Sequence, residues 1–385
     1  MSGYVNQFRR RPNRRSFTQG WDPILSFAIG GLLLFGTLLV YAATRNWYSS
    51  SGLDPAYYLK RHVINIIIGL AMAYGATIID YRLLRGYTPF VWGAGVLGLI
   101  AVLTPGIGSE INGARAWITF PGGFQIQPAE LAKISIIVGM SMILSERTHG
   151  ESAPNNKAVL QSLIVAGVPV LLILAQPDMG TIFIISAAVL TIIATSGAST
   201  KWVAGLLIAA AIGVFAAINL NVINDYQVKR LQSFVNPTVD SQGSGYQLRQ
   251  ARITVGSGGI FGTGLFNGPQ TNGRFVPEQQ TDFIFTVAGE ETGFLGSIII
   301  LGLFGTVLMR AFSIARRTSD SFGRLVCVGV IAWFTFQFFE NVGMTLGLMP
   351  MTGVPLPFMS YGGSSMFATL IGAGLLQNVH ARSRG

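Results

Sequence analysis

One carboxylate stands where a polar loop gives way to an apolar segment. Asp282 lies in the stretch VPEQQTDFIF (276–285), at the end of the loop that spans 221–283. A charged side chain at the edge of hydrocarbon is costly and is usually kept for function. At a helix start it could also cap the helix with a lowered pKa, whereas burial would raise that pKa. The sequence leaves both effects open and makes Asp282 the first candidate for chemistry.

Two charged pairs accompany this acid. Glu130 and Lys133 are spaced i, i+3 directly after Pro128. They can neutralise each other at a helix start, or orient a substrate phosphate or sugar in a cavity wall, and we expect both roles together. Arg249 and Arg252 are also three residues apart. They can contact lipid head groups or hold a pyrophosphate bidentately, and the spacing favours neither role.

Other acidic residues lie at the ends of apolar runs or inside them. Besides Asp282, these acidic residues are Glu130, Asp178, Glu290, Glu291 and Glu340. A single acid of this kind is often a cap or half of an ion pair, but a group on one side of a membrane predicts a polar cavity. On a helix that starts at Asp282, Gly289 and Gly293 share its face, which predicts a close-packed or substrate-lined groove. Glu291 faces away, and we expect it to make a structural pair.

The glycine-rich stretch TVGSGGIFGTG (254–264) superficially resembles a phosphate-binding loop. No Lys-Ser/Thr pair follows it and no strand–helix context surrounds it, which argues against nucleotide binding. We instead expect a tight re-entrant or surface loop in which glycines adopt positive φ.

The amino-acid composition indicates which kind of secondary-structure element positions these residues. Half of the 385 residues are hydrophobic and 11% are charged, against roughly 25% charged in a soluble domain. The apolar runs are long enough to cross a hydrocarbon core of about 30 Å. The chain is therefore predicted to be an all-α integral membrane protein with about ten transmembrane helices, which excludes soluble classes. The predicted spans are 23–44, 62–80, 87–104, 129–145, 158–175, 179–197, 201–220, 284–309, 323–346 and 363–380.

The basic residues predict how the chain is oriented. With the N-terminus inside, 16 of the 26 Lys and Arg residues fall on cytoplasmic segments. We therefore expect an N-in/C-in topology with one large extracytoplasmic loop, 221–283. The expected division is a basic cytoplasmic arm (1–22), a single polytopic membrane domain (23–380) and a short cytoplasmic tail (381–385). The net charge of +10 then reflects the membrane topology, and we expect no nucleic-acid partner. The basic arm is expected to contact anionic membrane lipids.

Cysteine and histidine usage predicts neither a disulfide nor a metal site. Cys327 is the single cysteine, and it lies within an apolar span. The three histidines, His62, His149 and His380, are far apart in sequence and match no metal-ligand spacing.

Taken together and in order, the motifs resemble the SEDS family of peptidoglycan polymerases, whose members serve cell elongation, division and sporulation. The strings that carry the resemblance are GARAWI, QPAELAK, QPDMGT, GYQLRQ, GSGGIFGTG, PEQQTDFIF and NVGMTLGLMPMTGVPLPFMSYGGSS. The last two are highly specific, and the match runs through all ten spans. The family has His before Thr-Asp where this chain has Gln280, so a role for that imidazole is not carried over. The compact tails and the segment 268–270 look more like the elongation branch.

The resemblance implies a glycosyltransferase that joins lipid II into β-1,4-linked glycan and releases undecaprenyl pyrophosphate, for cell-wall elongation and cell shape. It implies Asp282 as the catalytic residue, which we assign as the general base to the acceptor 4-hydroxyl in an inverting transfer. The substrate-binding residues expected from the motifs are Arg115, Trp117, Gln127, Glu130, Lys133, Asp178, Tyr246, Gln247, Arg249, Arg252, Ser360 and Tyr361. The candidates to offset the pyrophosphate charge are Arg115, Lys133, Arg249 and Arg252. No cofactor is certain, and a divalent cation, Mg²⁺ or Mn²⁺, is an additional candidate.

The resemblance also implies a location and partners. We expect a multi-pass protein of the bacterial cytoplasmic membrane whose active site faces outside. Family members work with a class B penicillin-binding protein, a transpeptidase, so that partner and other proteins of the elongation complex are expected here.

The residues alone allow two other functions. A transporter or flippase could move a lipid-linked anion such as lipid II through the outer cavity, or the chain could be a non-catalytic scaffold for a cell-wall synthase. Clustering of the motifs on the outer side and the lack of a visible inverted repeat argue against alternating access.

Overall fold

The computed structural model describes residues 20–111, 114–121, 123–146, 153–219, 230, 232–234, 240 and 243–383. The helices are α1 (Pro23–Ser50), α2 (Tyr57–Ile78), α3 (Tyr81–Leu103), α4 (Pro128–Ser145), α5 (Asn156–Leu174), α6 (Met179–Thr195), α7 (Thr200–Asn219), α8 (Ser244–Ser257), α9 (Pro269–Asn272), α10 (Ile284–Arg317), α11 (Ser321–Leu346) and α12 (Gly363–Ser383). The strands are β1 (Gly108–Ile111), β2 (Ala114–Phe120) and β3 (Phe124–Ile126). The arginines of the predicted basic arm lie outside the described residues, as does much of 221–242.

Each of the ten predicted spans falls on a helix. In the described part of the chain, seven helices are long and apolar enough to cross a membrane, namely α1 to α5, α10 and α11. Met179–Thr195 and Thr200–Gly213 are shorter apolar helical stretches. The tenth span corresponds to α12, which is largely buried against α2, α4, α10 and α11. A helix enclosed by other helices needs less hydrophobicity than one that faces lipid.

The first and last helices meet at one end of the bundle. The Asp22 N–H donates to Gln377 Oε1 (2.7 Å), and Gln377 Nε2 returns a bond to the Asp22 carbonyl (3.1 Å). Arg310 of α10 forms an ion pair with the buried Asp22 carboxylate. The two ends of the membrane domain therefore lie on the same side, as an even number of crossings predicts.

A small sheet interrupts the otherwise helical architecture between α3 and α4. Strands β1, β2 and β3 are antiparallel in that order, with Gly108 opposite Ile118 and Ile118 opposite Ile126. The GARAWI motif thus forms most of a strand, which the all-α prediction did not include. Contacts of β2 with α3 and α4, and of β3 with α12, hold the sheet against the ends of these helices.

The glycine-rich segment packs into a break in α10. At Gly293 the backbone leaves helical geometry (φ 65°, ψ −161°). Main-chain N–H groups of 263–264 donate to carbonyls of 290–291, and those of 294–295 donate to carbonyls of 259–260, at 2.9 to 3.1 Å. The loop therefore satisfies backbone groups that the break exposes, as apolar surroundings require. Of the predicted loop 254–264, residues 254–257 instead belong to α8. The remainder has positive φ at three glycines, Gly259, Gly262 and Gly264.

We predict that Gly293→Ala lowers the thermal unfolding temperature of the purified protein. Its φ and ψ lie in a region that is essentially restricted to glycine, at a cost of order 1–3 kcal/mol for other residues. An added Cβ would also lie 2.3 Å from the Gly262 nitrogen. Gly305→Ala is the matched control in the same helix, since a Cβ there meets nothing within 4 Å. Equal unfolding temperatures for the two variants would contradict the prediction.

Candidate active site

The turn before α10 leaves the Asp282 carboxylate free of a capping role. The Glu278 carbonyl accepts the N–H groups of Thr281 and Asp282, both at 3.1 Å. Phe283 occupies the N-cap position and makes no side-chain capping bond. The carboxylate points towards Gly353, where a Cβ would lie 3.2 Å from Oδ2. Because Asp282 does not cap α10, its carboxylate, which is bonded by the Thr281 side chain, can accept a further donor from a ligand.

An amide of α11 fixes this turn. Asn341 Nδ2 donates to the carbonyls of Asp282 and Val354, each at 2.7 Å. The Tyr361 N–H donates to the Gln280 carbonyl at 2.9 Å. The connection between α11 and α12 therefore lies directly against the Asp282 turn.

Burial decides the pKa question that the sequence left open. The Asp282 side chain is half-buried, and its pKa rises to about 7, first because of desolvation and then because of repulsion by Glu278. Arg230 opposes the rise, and Asp178 adds to it. A carboxyl with a pKa near neutrality can accept a proton and release it again at physiological pH.

Asp178 links three helices beside this turn. Its carboxylate caps α6 by accepting from the Thr181 N–H (3.0 Å) and hydroxyl (2.8 Å). It also accepts from Gln127 Nε2 (2.9 Å), while the Gln127 main-chain N–H donates to Ser364 Oγ (2.7 Å). The two predicted site residues Gln127 and Asp178 are therefore in contact, and Asp178 acts electrostatically on Asp282.

Glu130 and Lys133 form the self-neutralising pair that their spacing predicts. Lys133 Nζ lies 2.9 Å from Glu130 Oε1 and 3.1 Å from Gln337 Oε1. The side chains are 4% and 1% exposed. Gln337 Nε2 in turn donates to the Pro355 carbonyl at 2.8 Å. Through Gln337, the pair therefore supports residues 351–357 of the connection between α11 and α12. A direct contact of either residue with substrate stays a prediction.

Helix α8 lies along the other side of the turn. Ala251 packs with Phe283 and Met351 in a small apolar cluster. Arg252 Nη2 donates to the Gly347 carbonyl (3.0 Å) just past the end of α11, where a cation is favourable. Pyrophosphate binding by Arg252 would compete with this bond. Of the other predicted α8 residues, Tyr246 and Gln247 are half-buried and Arg249 is exposed.

Four predicted residues lie on the sheet and on the connection to α12. Arg115 and Trp117 are half-buried on β2, opposite Glu110 and Ser109. Ser360 Oγ accepts the Leu356 N–H at 2.8 Å and closes a turn. Tyr361 reaches the Asp282 turn through its main-chain bond to Gln280. Among the described residues, the bonds that hold the Asp282 turn include neither Arg115 nor Trp117.

Residues without a predicted role also act on the site. They are Arg230, Glu278, Gln337, Asn341 and Gly353. Arg230 Nη1 lies 3.4 Å from the Thr352 carbonyl. Asn341 and Gly353 belong to a motif noted in the sequence, whereas nothing in the polar 221–283 loop distinguished Arg230 from its neighbours.

Within the described ranges, no group of three or more carboxylate, histidine or cysteine side chains could hold a metal ion. The carboxylates around Asp282 are better described as mutually repelling groups that raise its pKa.

We predict that Glu130→Gln and Lys133→Met each destabilise the protein strongly. Removing one partner leaves an uncompensated buried charge, at a cost of about 3–5 kcal/mol. The double variant should lose less than the sum of the single losses, because no unpaired charge remains. Thermal unfolding of the wild type, the two single variants and the double variant measures this coupling, and additive losses would contradict it.

Comparisons with known proteins agree with this architecture. The family model FTSW_RODA_SPOVE, described as "Cell cycle protein", matches residues 23–385. The chain is 34% identical to the probable peptidoglycan glycosyltransferase FtsW of Trichlorobacter lovleyi over 361 residues, which cover 94% of this chain and 93% of the relative. It is 33% identical to the peptidoglycan glycosyltransferase MrdB of Escherichia coli K12 over 375 residues, 97% of each protein.

A solved structure has the same fold. It is a chain from a peptidoglycan synthase complex that coordinates polymerization and crosslinking, and it superposes with a TM-score of 0.76 at 30% identity. The superposition covers 94% of this chain and 98% of the other. The chain therefore belongs to the FtsW/RodA/SpoVE family, the SEDS peptidoglycan glycosyltransferases.

Proposed function

We propose that the protein polymerises lipid II, with Asp282 as the general base. The carboxylate accepts the proton of the acceptor 4-hydroxyl while that oxygen attacks the anomeric carbon of the donor. The bond from this carbon to the pyrophosphate oxygen breaks, and its electron pair leaves with undecaprenyl pyrophosphate. An α-linked donor then gives a β-1,4-linked product by inversion. The observation that carries the proposal is the Asp282 carboxylate, which is half-buried, does not cap α10 and has a pKa raised to about 7.

Charge on the leaving group is offset by nearby arginines. Arg230 lies close enough to Asp282 to lower its pKa, and Arg249 is exposed on the adjacent α8. A pyrophosphate is already a good leaving group, so no second carboxylic acid has to protonate it. No step is assigned to a divalent cation; if one takes part, the substrate phosphates would supply many of its ligands.

The setting of the reaction is also part of the proposal. We place the protein in the bacterial cytoplasmic membrane with Asp282 on the outer side, because most basic residues fall on the opposite segments. The partner is a class B penicillin-binding protein, together with other proteins of the elongation complex. The similarity to a chain of a synthase complex supports a partner of this kind.

We predict that Asp282→Asn reduces glycan synthesis about 10²–10⁴-fold, the usual contribution of a positioned base. Synthesis is measured from lipid II with the purified protein in detergent, alone and with its transpeptidase partner. Asp320→Asn is the matched control, because this aspartate caps α11 through the Gly323 N–H, at the other end of α11 from Asn341. A folded Asp282→Asn protein with full activity would refute the base assignment. Relocation of lipid II without any glycan product would favour a transporter.

We predict opposite pH shifts when the two charges beside Asp282 are removed. The base must be ionised, so the rate should rise with pH through about 7 and then level off. Glu278→Gln removes a repulsion, which lowers the pKa of Asp282 and moves the rise to lower pH. Arg230→Gln removes an attraction, which raises the pKa and moves the rise to higher pH. Rate profiles of the three proteins measure this, and shifts in the same direction would contradict it.

A further inference from the structure

His62 of α2 is buried in an unusual way. The residue is 0% exposed, and neither ring nitrogen has a hydrogen-bond partner within the described structure. A neutral imidazole carries one donor and one acceptor. Leaving both unpaired in the interior costs stability, and an apolar side chain of similar size would avoid that cost. Such a group calls for a partner from outside the chain, a bound ligand or an ordered water.

The position of His62 connects it to the catalytic turn. Its ring centroid lies 6.2 Å from that of Tyr361, and Tyr361 is bonded through its N–H to the carbonyl of Gln280. Asn65, one turn further along α2, lies against Gly363, where a Cβ would be 3.6 Å from Oδ1. His62 and Asn65 therefore face the chain segment that contacts the Asp282 turn.

Aromatic side chains border the same place. The ring of Tyr58 meets that of Tyr361 edge to face at 4.8 Å, and Tyr58 is within electrostatic reach of Glu278. Aromatic faces pack against the C–H face of a pyranose, while imidazole and amide groups bond its polar substituents. The combination has the chemistry of a carbohydrate subsite.

The choice between sugar and pyrophosphate follows from protonation. A pyrophosphate offers only acceptors, so it would pair the N–H of a neutral imidazole and leave the other ring nitrogen unpaired. Pairing both nitrogens with a pyrophosphate would require a cationic imidazole, which is costly among apolar helices. A sugar hydroxyl or acetamido group offers both a donor and an acceptor, which matches the neutral ring.

We propose that His62, with Asn65, binds a sugar unit of the lipid-linked substrate beside Asp282, through hydrogen bonds from the imidazole to a hydroxyl or acetamido group. The proposal rests on the proposed polymerase function and names a binding residue for it. His62 is fully buried and the half-buried Tyr361 ring lies beside it, so sugar binding at His62 requires the Tyr361 ring to move aside.

The test compares His62→Phe, His62→Leu and His62→Gln in the purified protein with its transpeptidase partner. Polymerisation is measured against lipid II concentration, and thermal unfolding is measured in parallel. The apolar variants should unfold at the same or a higher temperature than the wild type, yet show a KM raised about five- to tenfold with kcat changed much less. His62→Gln, which keeps a donor and an acceptor, should stay within about twofold of the wild-type KM.

Ser141→Ala is the matched control, because Ser141 of α4 is also fully buried with an unpaired hydroxyl. It should leave KM unchanged. An unchanged KM in folded His62→Phe or His62→Leu overturns the subsite while leaving the polymerase function intact. Failure of both apolar variants to fold while His62→Gln folds also overturns it, since the imidazole would then serve the fold. A wild type that makes no glycan overturns the proposed function itself.

Discussion

The position of Asp282 depends on one buried amide. Asn341 donates its two N–H groups to the carbonyls of Asp282 and Val354, and so joins two irregular chain segments that no helix or strand holds together. Irregular backbone at membrane depth is tolerated only where protein groups satisfy it. Because the amide bonds the main chain of Asp282, it fixes the residue in place without engaging the carboxylate.

One helical turn before Asn341, Gln337 of α11 supports the connection between α11 and α12. Gln337 bonds the Pro355 carbonyl through its amide nitrogen and accepts from Lys133 through its oxygen. Trp333 Nε1 donates to the same oxygen at 2.6 Å. The buried Lys133–Glu130 pair therefore acts on the site through Gln337. Of the predicted residues, Gln127 and Asp178 lie with Asp282 in one layer, and Glu130 and Lys133 lie in a second layer that holds the 351–357 connection in place.

Structure follows most directly from sequence where a single physical requirement acts on neighbouring residues. A membrane-spanning helix needs a long apolar run, so the ten helices could be predicted. A charged side chain is costly at the edge of hydrocarbon, and this cost distinguished Asp282 as a candidate. Prediction was less successful where partners come together from distant positions. The register of β2 against β1 and β3, the meeting of Arg230 with Asp282 and the bond of Arg252 to Gly347 all join separate segments. Local spacing predicted the Glu130–Lys133 pair but not its depth of burial.

Two adjacent acids of α10, Glu290 and Glu291, have a structural role that differs from the proposed role of Asp282. The Glu290 carboxylate accepts from the N–H groups of Gln270 and Thr271, both at 2.7 Å, and Glu291 accepts from the Phe266 N–H at 2.9 Å. Both carboxylates are thus held by main-chain donors of α9 and of the segment just before it. Asp282 is bonded by the Thr281 side chain and attracted by Arg230, whereas Glu278 and Asp178 repel it. Desolvation and like charges both raise the pKa of a carboxyl, and they raise that of Asp282 to about 7. The packing that immobilises the first turns of α10 therefore uses Glu290 and Glu291 to hold the adjoining loop, while Asp282, which caps no helix, can exchange its proton near neutral pH.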